Sequence, residues 1–179
     1  MKGISFSIIG EMRACINLID DRPLIMLSNI LSHADCIFLA GSGRGSDTAR
    51  IFARRLTALG KEVHIAGEAT APAIRRGDVM IIFAGSSDMR SMTLMAKKAY
   101  QAEATIAVFS PTASSPIADL ASIVIPITRP EPDLIASMQT GSVLFDQVCM
   151  VLVDTIAVYV AKKMNVPYEA LIKNGGNFE

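Results

Sequence analysis

Five short apolar runs, rich in β-branched and aromatic residues, recur along the chain between more polar segments. Each run is bounded by Gly, Pro, Ser or Asp, and its apolar character is nearly continuous rather than alternating. Continuous apolar runs are typical of strands covered on both faces, as in a parallel sheet. The predicted strands are residues 36–40, 62–66, 79–83, 105–109 and 122–125.

Helical patterns separate and flank these strands. The pattern after the first strand ends at Gly60, a residue suited to terminating a helix. Near the N-terminus two helical pieces are broken around residues 20–23, and Asp21 is the expected cap of the second piece. The predicted helical segments are 5–33 in two pieces, 46–59, 90–102, a single turn at 117–121, and a long helix at about 137–164.

This alternation of strands and helices predicts an α/β fold with a doubly wound, five-stranded parallel sheet flanked by helices. We expect one domain over residues 1–179. The N-terminal helices and the long C-terminal helix are expected to pack on the sheet or on neighbouring subunits. In doubly wound folds, ligands bind beyond the carboxyl ends of the strands, so the loops that follow the strands carry the candidate chemistry.

Charge, hydropathy and cysteine content together narrow the classes of protein to which this chain can belong. Lys plus Arg and Asp plus Glu are both 17, and the charges form no basic patch, so we expect no nucleic-acid partner. Apolar stretches are interrupted by polar or charged residues before about 18 accumulate, and no signal peptide stands out, so we expect no membrane span and a cytoplasmic protein. Three separated cysteines favour a reducing compartment.

The chain is more apolar than its size requires. Hydrophobic residues make up 51%, including ten Met, and the mean hydropathy is +0.40. A small monomer has too little interior to hide that many apolar side chains. We therefore expect a homo-oligomer, at least a dimer.

No His, Cys or Asp cluster has the sequence spacing of a zinc site, so no metal is expected.

The loop after the first strand, residues 41–47, is glycine-rich and opens a helix. Amides and the helix dipole meet there, which suits a phosphate. Ser46 stands where a dinucleotide fingerprint needs Gly, and no Gly-Lys-Ser/Thr follows for a P-loop. The alternative is a tight strand–helix turn capped by Ser46.

A second loop after a strand, residues 84–91, gathers hydroxyls, a carboxylate and a guanidinium at another helix start. Two such loops after neighbouring strands can hold one phosphate from two sides. The expected substrate-binding residues are Ser42, Gly43, Arg44, Gly45, Ser46, Ser86, Ser87, Asp88, Arg90 and Ser91.

The order of these motifs resembles a known family. Gly-Ser-Gly-Arg at 41–44, Gly-Glu-x-x-x-Pro-Ala-Ile at 67–74, Gly-Asp at 77–78 and Gly-Ser at 85–86 are similar to a sugar isomerase (SIS) domain, and more narrowly to the 6-phospho-3-hexuloisomerases. The resemblance spans nearly the whole chain. It implies a flavodoxin-like sheet and a homotetramer. It also implies interconversion of a 3-ketohexose 6-phosphate with fructose 6-phosphate, without metal or organic cofactor.

The chain departs from that family at four places. The family's first loop usually has Ser directly after the Arg, whereas this chain has Gly45 there and Ser46 one step later. The second phosphate loop, usually Ser-x-Ser-Gly-Glu-Thr, is Ala-Gly-Ser-Ser-Asp-Met at 84–89. The tail, 174–179, lacks the family's His. Near the start of the long helix, Asp146 stands where the family has Glu.

Moving a carbonyl between adjacent carbons needs a base that removes a proton α to it. The resemblance implies that Asp146 is this base, with Glu68 and Glu179 as further candidate carboxylates. Arg44 or Arg90 would balance the charge. An Asp in the first turns of a helix also favours the helix dipole without any further role.

Two other functions are compatible with the pattern. One is a non-catalytic SIS module that binds a phosphosugar. The other is a flavodoxin-like nucleotide or flavin binder, which is disfavoured because the chain has no Trp and 6% aromatic residues to stack on a ring. His33 and His64 lie outside the candidate loops and are expected to be structural.

Overall fold

The computed structural model, which describes residues 1–85, 90–130, 139 and 141–175, contains a parallel sheet of five strands. The strands are paired in the order β2-β1-β3-β4-β5, which is the flavodoxin-like doubly wound order. The predicted fold class is confirmed. The strands are β1 Cys36–Gly41, β2 Glu62–Ile65, β3 Val79–Phe83, β4 Thr105–Ser110 and β5 Ile123–Pro126.

The helices follow the predicted order, and β2 and β3 are joined without a helix, in agreement with the predicted segments. A short 3₁₀ turn at Ala118–Leu120 precedes β5. The predicted single domain stays a prediction. The helices are α1 Lys2–Ile16, α2 Asp21–His33, α3 Arg44–Ala58, α4 Arg90–Gln101, α5 Gly141–Lys163 and α6 Tyr168–Asn174.

Both faces of the sheet are buried, which explains the continuous apolar runs. Alternate residues of β1 point to opposite sides. Ile37 and Leu39 belong to a core shared with helices α2, α3 and α5. Phe38 and Ala40 belong to a second core shared with α4.

Helix α5 is long and apolar enough to cross a membrane by length and composition, with a hydropathy of 1.9 over its most apolar window. Half of that window is buried inside the protein, and α5 packs on α1, α2 and α3. This is the behaviour of a core helix. The polar and charged residues of this segment are expected from the sequence to exclude a membrane span. Helix α5 nevertheless meets the criteria of length and hydropathy.

Three predicted helix starts are wrong. Helix α1 begins at Lys2, three residues before the predicted start at residue 5. Asp20, rather than Asp21, caps α2, because its carboxylate accepts a hydrogen bond of 3.0 Å from the Arg22 amide. Helix α3 begins at Arg44, two residues before the predicted start at Ser46. The Ser46 hydroxyl lies inside the helix and donates to the Gly43 carbonyl at 2.7 Å.

Other helix ends agree with the sequence. Gly60 has a φ of +82° after the end of α3, and the Gly60 and Lys61 amides donate back to Thr57 and Leu56. This is the glycine-dependent helix end that the pattern predicts. The predicted start of the long helix, 137–140, lies outside the described residues apart from Gln139.

The turn between β1 and α3 leaves no room for side chains at two glycines. A Cβ on Gly41 would lie 2.3 Å from the carbonyl carbon and oxygen of Gly45. A Cβ on Gly45 would lie 2.8 Å from the carbonyl oxygen of Phe83, at the end of β3. The first turn of α3 therefore sits directly against the carboxyl ends of β1 and β3.

We predict that Gly41→Ala lowers the free energy of unfolding by about 1–3 kcal/mol, because the new methyl group meets backbone atoms that cannot rotate away. Gly10→Ala is the matched control. Gly10 lies in α1 with nothing near its added Cβ, so this change should be neutral or stabilising by about 0.5–1 kcal/mol. Urea unfolding of both variants measures the difference. Equal unfolding midpoints for the two variants would contradict the close approach.

Candidate active site

An ion pair joins the glycine-rich turn to the long helix. The Arg44 guanidinium, at the first residue of α3, donates to the Asp146 carboxylate in the second turn of α5. The two residues are 102 positions apart and meet because α3 packs on α5. A carboxylate and a guanidinium thus lie together at the carboxyl edge of β1.

The two side chains of the pair differ in their exposure to solvent. The Asp146 side chain is 18% exposed, whereas that of Arg44 is 56% exposed. The carboxylate is therefore largely withdrawn from water, and the guanidinium can be reached from solvent. A second pair on the same two helices, Arg55 with Asp154 at 2.7 Å, is about half exposed at both partners. Asp146 is the more shielded of the two carboxylates.

Cys149 lies one turn beyond Asp146 on α5 and is 1% exposed. Burial, followed by the nearby Asp146 charge, raises the pKa of the Cys149 thiol well above its usual value. The thiol therefore stays protonated at neutral pH and is a poor nucleophile. Acid–base chemistry by the carboxylate fits this surrounding better than covalent catalysis by the thiol.

A cavity of about 330 Å³ opens beside this edge of the sheet. Its walls come from the residues that follow β3, β4 and β5, from the end of α1 and from the start of α5. The lining residues are Cys15, Gly85, Pro111, Ile127, Arg129, Ser142, Leu144 and Phe145. Such a crevice at the carboxyl ends of the strands is the expected ligand position in this type of fold.

Phe145 and Gly85 form the contact between this cavity and α5. A Cβ on Gly85 would lie 2.5 Å from two carbons of the Phe145 ring, and Phe145 is 5% exposed. The ring thus packs on the backbone at the point where the second predicted phosphate loop begins. Asp146 follows Phe145 directly but is not among the residues that line the cavity.

Arg129 is a candidate site residue that the sequence reasoning missed. It lies in the cavity wall after β5, and its Nη2 donates to the carbonyl of Gln139 at 3.2 Å. In this type of fold, residues beyond the carboxyl end of a strand face the ligand. The sequence reasoning applied this rule to the loops after the first and third strands, and it also selects Arg129 after β5. The guanidinium offers further donors for an anionic substrate.

The first predicted phosphate loop forms a compact turn. The Gly45 amide donates to the Ser42 carbonyl at 3.1 Å, and the Ser46 amide donates to the Gly43 carbonyl at 3.0 Å. These two amides are therefore engaged within the turn. Gly45 is buried, whereas Gly43 and Arg44 are exposed.

The other predicted site residues are spread more widely. Glu68 pairs with Arg50 at 3.0 Å, about 9 Å along the α3 axis from Arg44, and both partners are about half exposed. Arg90 lines a shallow groove on α4 beside Lys97, and Ser91 is exposed. Ser86, Ser87, Asp88 and Glu179 lie outside the described residues.

Comparison with known proteins identifies relatives over most of the chain. The SIS domain family matches residues 30–151. The 3-hexulose-6-phosphate isomerase of Mycobacterium gastri is 30% identical over 164 residues, which are 90% of this chain and 82% of that protein.

Solved structures share the fold. A hypothetical protein from Methanococcus jannaschii, whose crystal structure led to an inferred function of 3-hexulose-6-phosphate isomerase, has a TM-score of 0.80 at 24% identity and covers 98% of this chain and 97% of its own. The Vibrio vulnificus NanR protein, complexed with ManNAc-6P, has a TM-score of 0.76 at 20% identity and covers 97% of this chain and 65% of its own. The family match covers more than half of the chain, and the sheet order, the glycine-rich turn and the helix that carries Asp146 agree with it: the protein belongs to the SIS domain family.

Proposed function

We propose that the protein is a sugar-phosphate isomerase that moves a carbonyl between adjacent carbons of a ketohexose 6-phosphate through an enediol. The observation that carries this proposal is the shielded Asp146 carboxylate beside Arg44 of the glycine-rich turn. A base and a cation stand next to the loop predicted to hold phosphate. The similarity to 3-hexulose-6-phosphate isomerase supports the same reaction.

Asp146 is the proposed base. With fructose 6-phosphate as substrate, the carboxylate takes the proton from C3, and the electron pair forms the double bond between C2 and C3. The oxygen on C2 gains negative charge and takes a proton to complete the enediol. Loss of the proton from the oxygen on C3 and return of a proton to C2 then give the 3-ketose.

Arg44 and Arg129 are the proposed electrostatic partners. A guanidinium beside the developing oxyanion stabilises it more than it stabilises the neutral carbonyl, and that difference lowers the barrier. Arg44 is already close to Asp146, and Arg129 lies in the cavity wall. The weaker candidate bases are Glu68, which is paired with Arg50, and Glu179.

The phosphate is proposed to bind between the two serine-bearing loops, with hydroxyls of Ser42, Ser86, Ser87 and Ser91 as donors. The Ser46 hydroxyl, which donates to the Gly43 carbonyl in this structure, would have to turn away from that carbonyl to join them. Helix α3 begins within the first loop, at Arg44, and α4 begins within the second, at Arg90. A helix N-terminus favours an anion through its dipole.

The proposed isomerisation needs no metal or organic cofactor. We also propose that the enzyme is cytoplasmic.

A non-catalytic phosphosugar-binding module is the second candidate. The loop at 84–89 has lost two hydroxyls relative to the pattern it resembles, and the tail has lost the His. Vibrio vulnificus NanR, whose structure was solved in complex with ManNAc-6P, has the same fold. That protein therefore binds a phosphosugar. Binding without turnover would favour this function.

We predict that Asp146→Asn lowers turnover about 100-fold or more, because the amide cannot accept the proton. The affinity for the phosphosugar and the circular dichroism spectrum should stay unchanged. Asp154→Asn is the matched control, since Asp154 pairs with an arginine of α3 from the same helix. A coupled assay on 3-hexulose 6-phosphate measures both variants. An equal loss of turnover in the two would exclude a special role for Asp146.

Ser86→Ala is expected to weaken binding of fructose 6-phosphate by about 1–3 kcal/mol, because a charge-assisted hydrogen bond to the phosphate is lost. Ser7→Ala is the control, since Ser7 is exposed on α1 and bonds to the Gly3 carbonyl. Isothermal titration calorimetry compares the two variants. Unchanged affinity of the Ser86→Ala protein would remove this loop from the phosphate site.

We also propose that the protein is a homo-oligomer, a tetramer by its family resemblance. Large apolar side chains are exposed on α1 and on the outer side of α5, namely Ile4, Phe6, Ile9, Val151, Val158 and Tyr159. A second copy of the chain would remove them from water.

Light scattering at micromolar concentration should therefore give a mass of four times the 19.2 kDa chain, and a dimer is the smallest species expected. Dilution should shift the mass downward in whole-subunit steps. A single 19.2 kDa species would contradict the proposed assembly.

A further inference from the structure

A thiol, an imidazole and a carboxylate converge at the other end of the sheet. One potential ligand atom each from Cys36, Glu62 and His64 lies within 4.8 Å of the other two. In the described part of the chain, this is the group of metal-ligating side chains that the structure brings together. The proposed isomerase site does not use it.

The register of two strands creates the group. Cys36 in β1 is paired with Glu62 in β2, and Phe38 is paired with His64. Residues two apart on a strand point to the same face, and neighbouring strands lie about 4.8 Å apart. Three side chains from the two strands are therefore neighbours on one face, although Cys36 and Glu62 are 26 positions apart in the sequence.

The ligand atoms are within reach of the spacing that a bound ion requires. The His64 Nε2 and Glu62 Oε1 atoms are 2.9 Å apart, whereas tetrahedral bonds to zinc place such ligand atoms about 3.3–3.6 Å from one another. The Glu62 side chain is 66% exposed, so it can move by the few tenths of an ångström that this difference requires. The Cys36 Sγ atom lies within 4.8 Å of the other two ligand atoms and would have to come up to about 1 Å closer to them.

The His64 ring is already held in place by a second contact. Its centroid lies 5.5 Å from that of the buried Phe38 ring, and its side chain is 22% exposed. An imidazole fixed in this way loses little conformational freedom when it binds an ion. The partial exposure leaves a path for the ion and for a water molecule as fourth ligand.

We propose that Cys36, Glu62 and His64 form a zinc-binding site at the amino ends of β1 and β2, with water completing a tetrahedron. One sulfur, one nitrogen and one oxygen donor suit Zn²⁺, which accepts all three, better than Mg²⁺ or Ca²⁺, which prefer oxygen alone. On binding, the thiol gives its proton to solvent and the thiolate bonds the metal.

The site would stabilise the edge of the sheet. Strand β2 is an edge strand that pairs with β1 alone among the described strands. A metal bound to Cys36 on one strand and to Glu62 and His64 on the other would fasten them together. Because ligands bind the folded state, zinc should raise the thermal unfolding midpoint.

Titration of the purified protein with ZnCl₂ in a calorimeter tests the proposal. We expect one Zn²⁺ per chain, and a weakening of about 10-fold or more in Cys36→Ser and in His64→Gln. CoCl₂ should give a thiolate-to-cobalt absorption band in the wild type and lose it in Cys36→Ser. The rise in unfolding midpoint with zinc should disappear in the same variants.

His33→Gln is the matched control. His33 is the other histidine of the chain, is exposed at the end of α2, and bonds to Asn29 and Ser32. This variant should bind zinc as the wild type does, and so should the catalytically impaired Asp146→Asn. The readout is thus independent of the proposed isomerase activity. Absence of stoichiometric binding, or equal affinity in the wild type, Cys36→Ser and His64→Gln, would overturn the site. Circular dichroism confirms that each variant is folded.

Discussion

The close approach of helix α3 to the ends of β1 and β3 is the constraint on which the candidate active site depends. Gly41 and Gly45 have no space for a Cβ, and so the first turn of α3 lies directly on the sheet edge. That position brings Arg44 to Asp146 of α5. The same helix start provides the dipole that suits a phosphate. A steric requirement in one turn thus places both the loop that is proposed to bind the phosphate and the partner of the proposed base.

Much of the fold could be predicted because its signals are local. Continuous apolar runs indicate strands buried on both faces, and the structure has β3 fully buried along its length. Gly60 ends α3 as its lack of a side chain predicts. The start of α3 was predicted two residues late because Ser46 is a good capping residue, whereas Gly43, with φ of +54°, makes the turn instead.

The site was only partly predictable, because its contacts join distant segments. The resemblance singled out Asp146 and the turn that contains Arg44, but the ion pair between them depends on how α3 packs on α5. Arg129 had no motif around it and becomes a candidate through its place in the cavity wall. Cys36 and His64 lie on different strands, so no sequence spacing could reveal that they are neighbours; the parallel register of β1 and β2 does.

The central claim is that the protein isomerises a ketohexose 6-phosphate through proton removal at carbon. Proton NMR of fructose 6-phosphate incubated with the purified protein in D₂O tests this most directly. An enediol mechanism predicts that the C3 proton signal disappears as deuterium from the solvent replaces it, together with the appearance of a 3-ketose. Fructose 6-phosphate that stays fully protonated at C3 and is not converted would contradict the account.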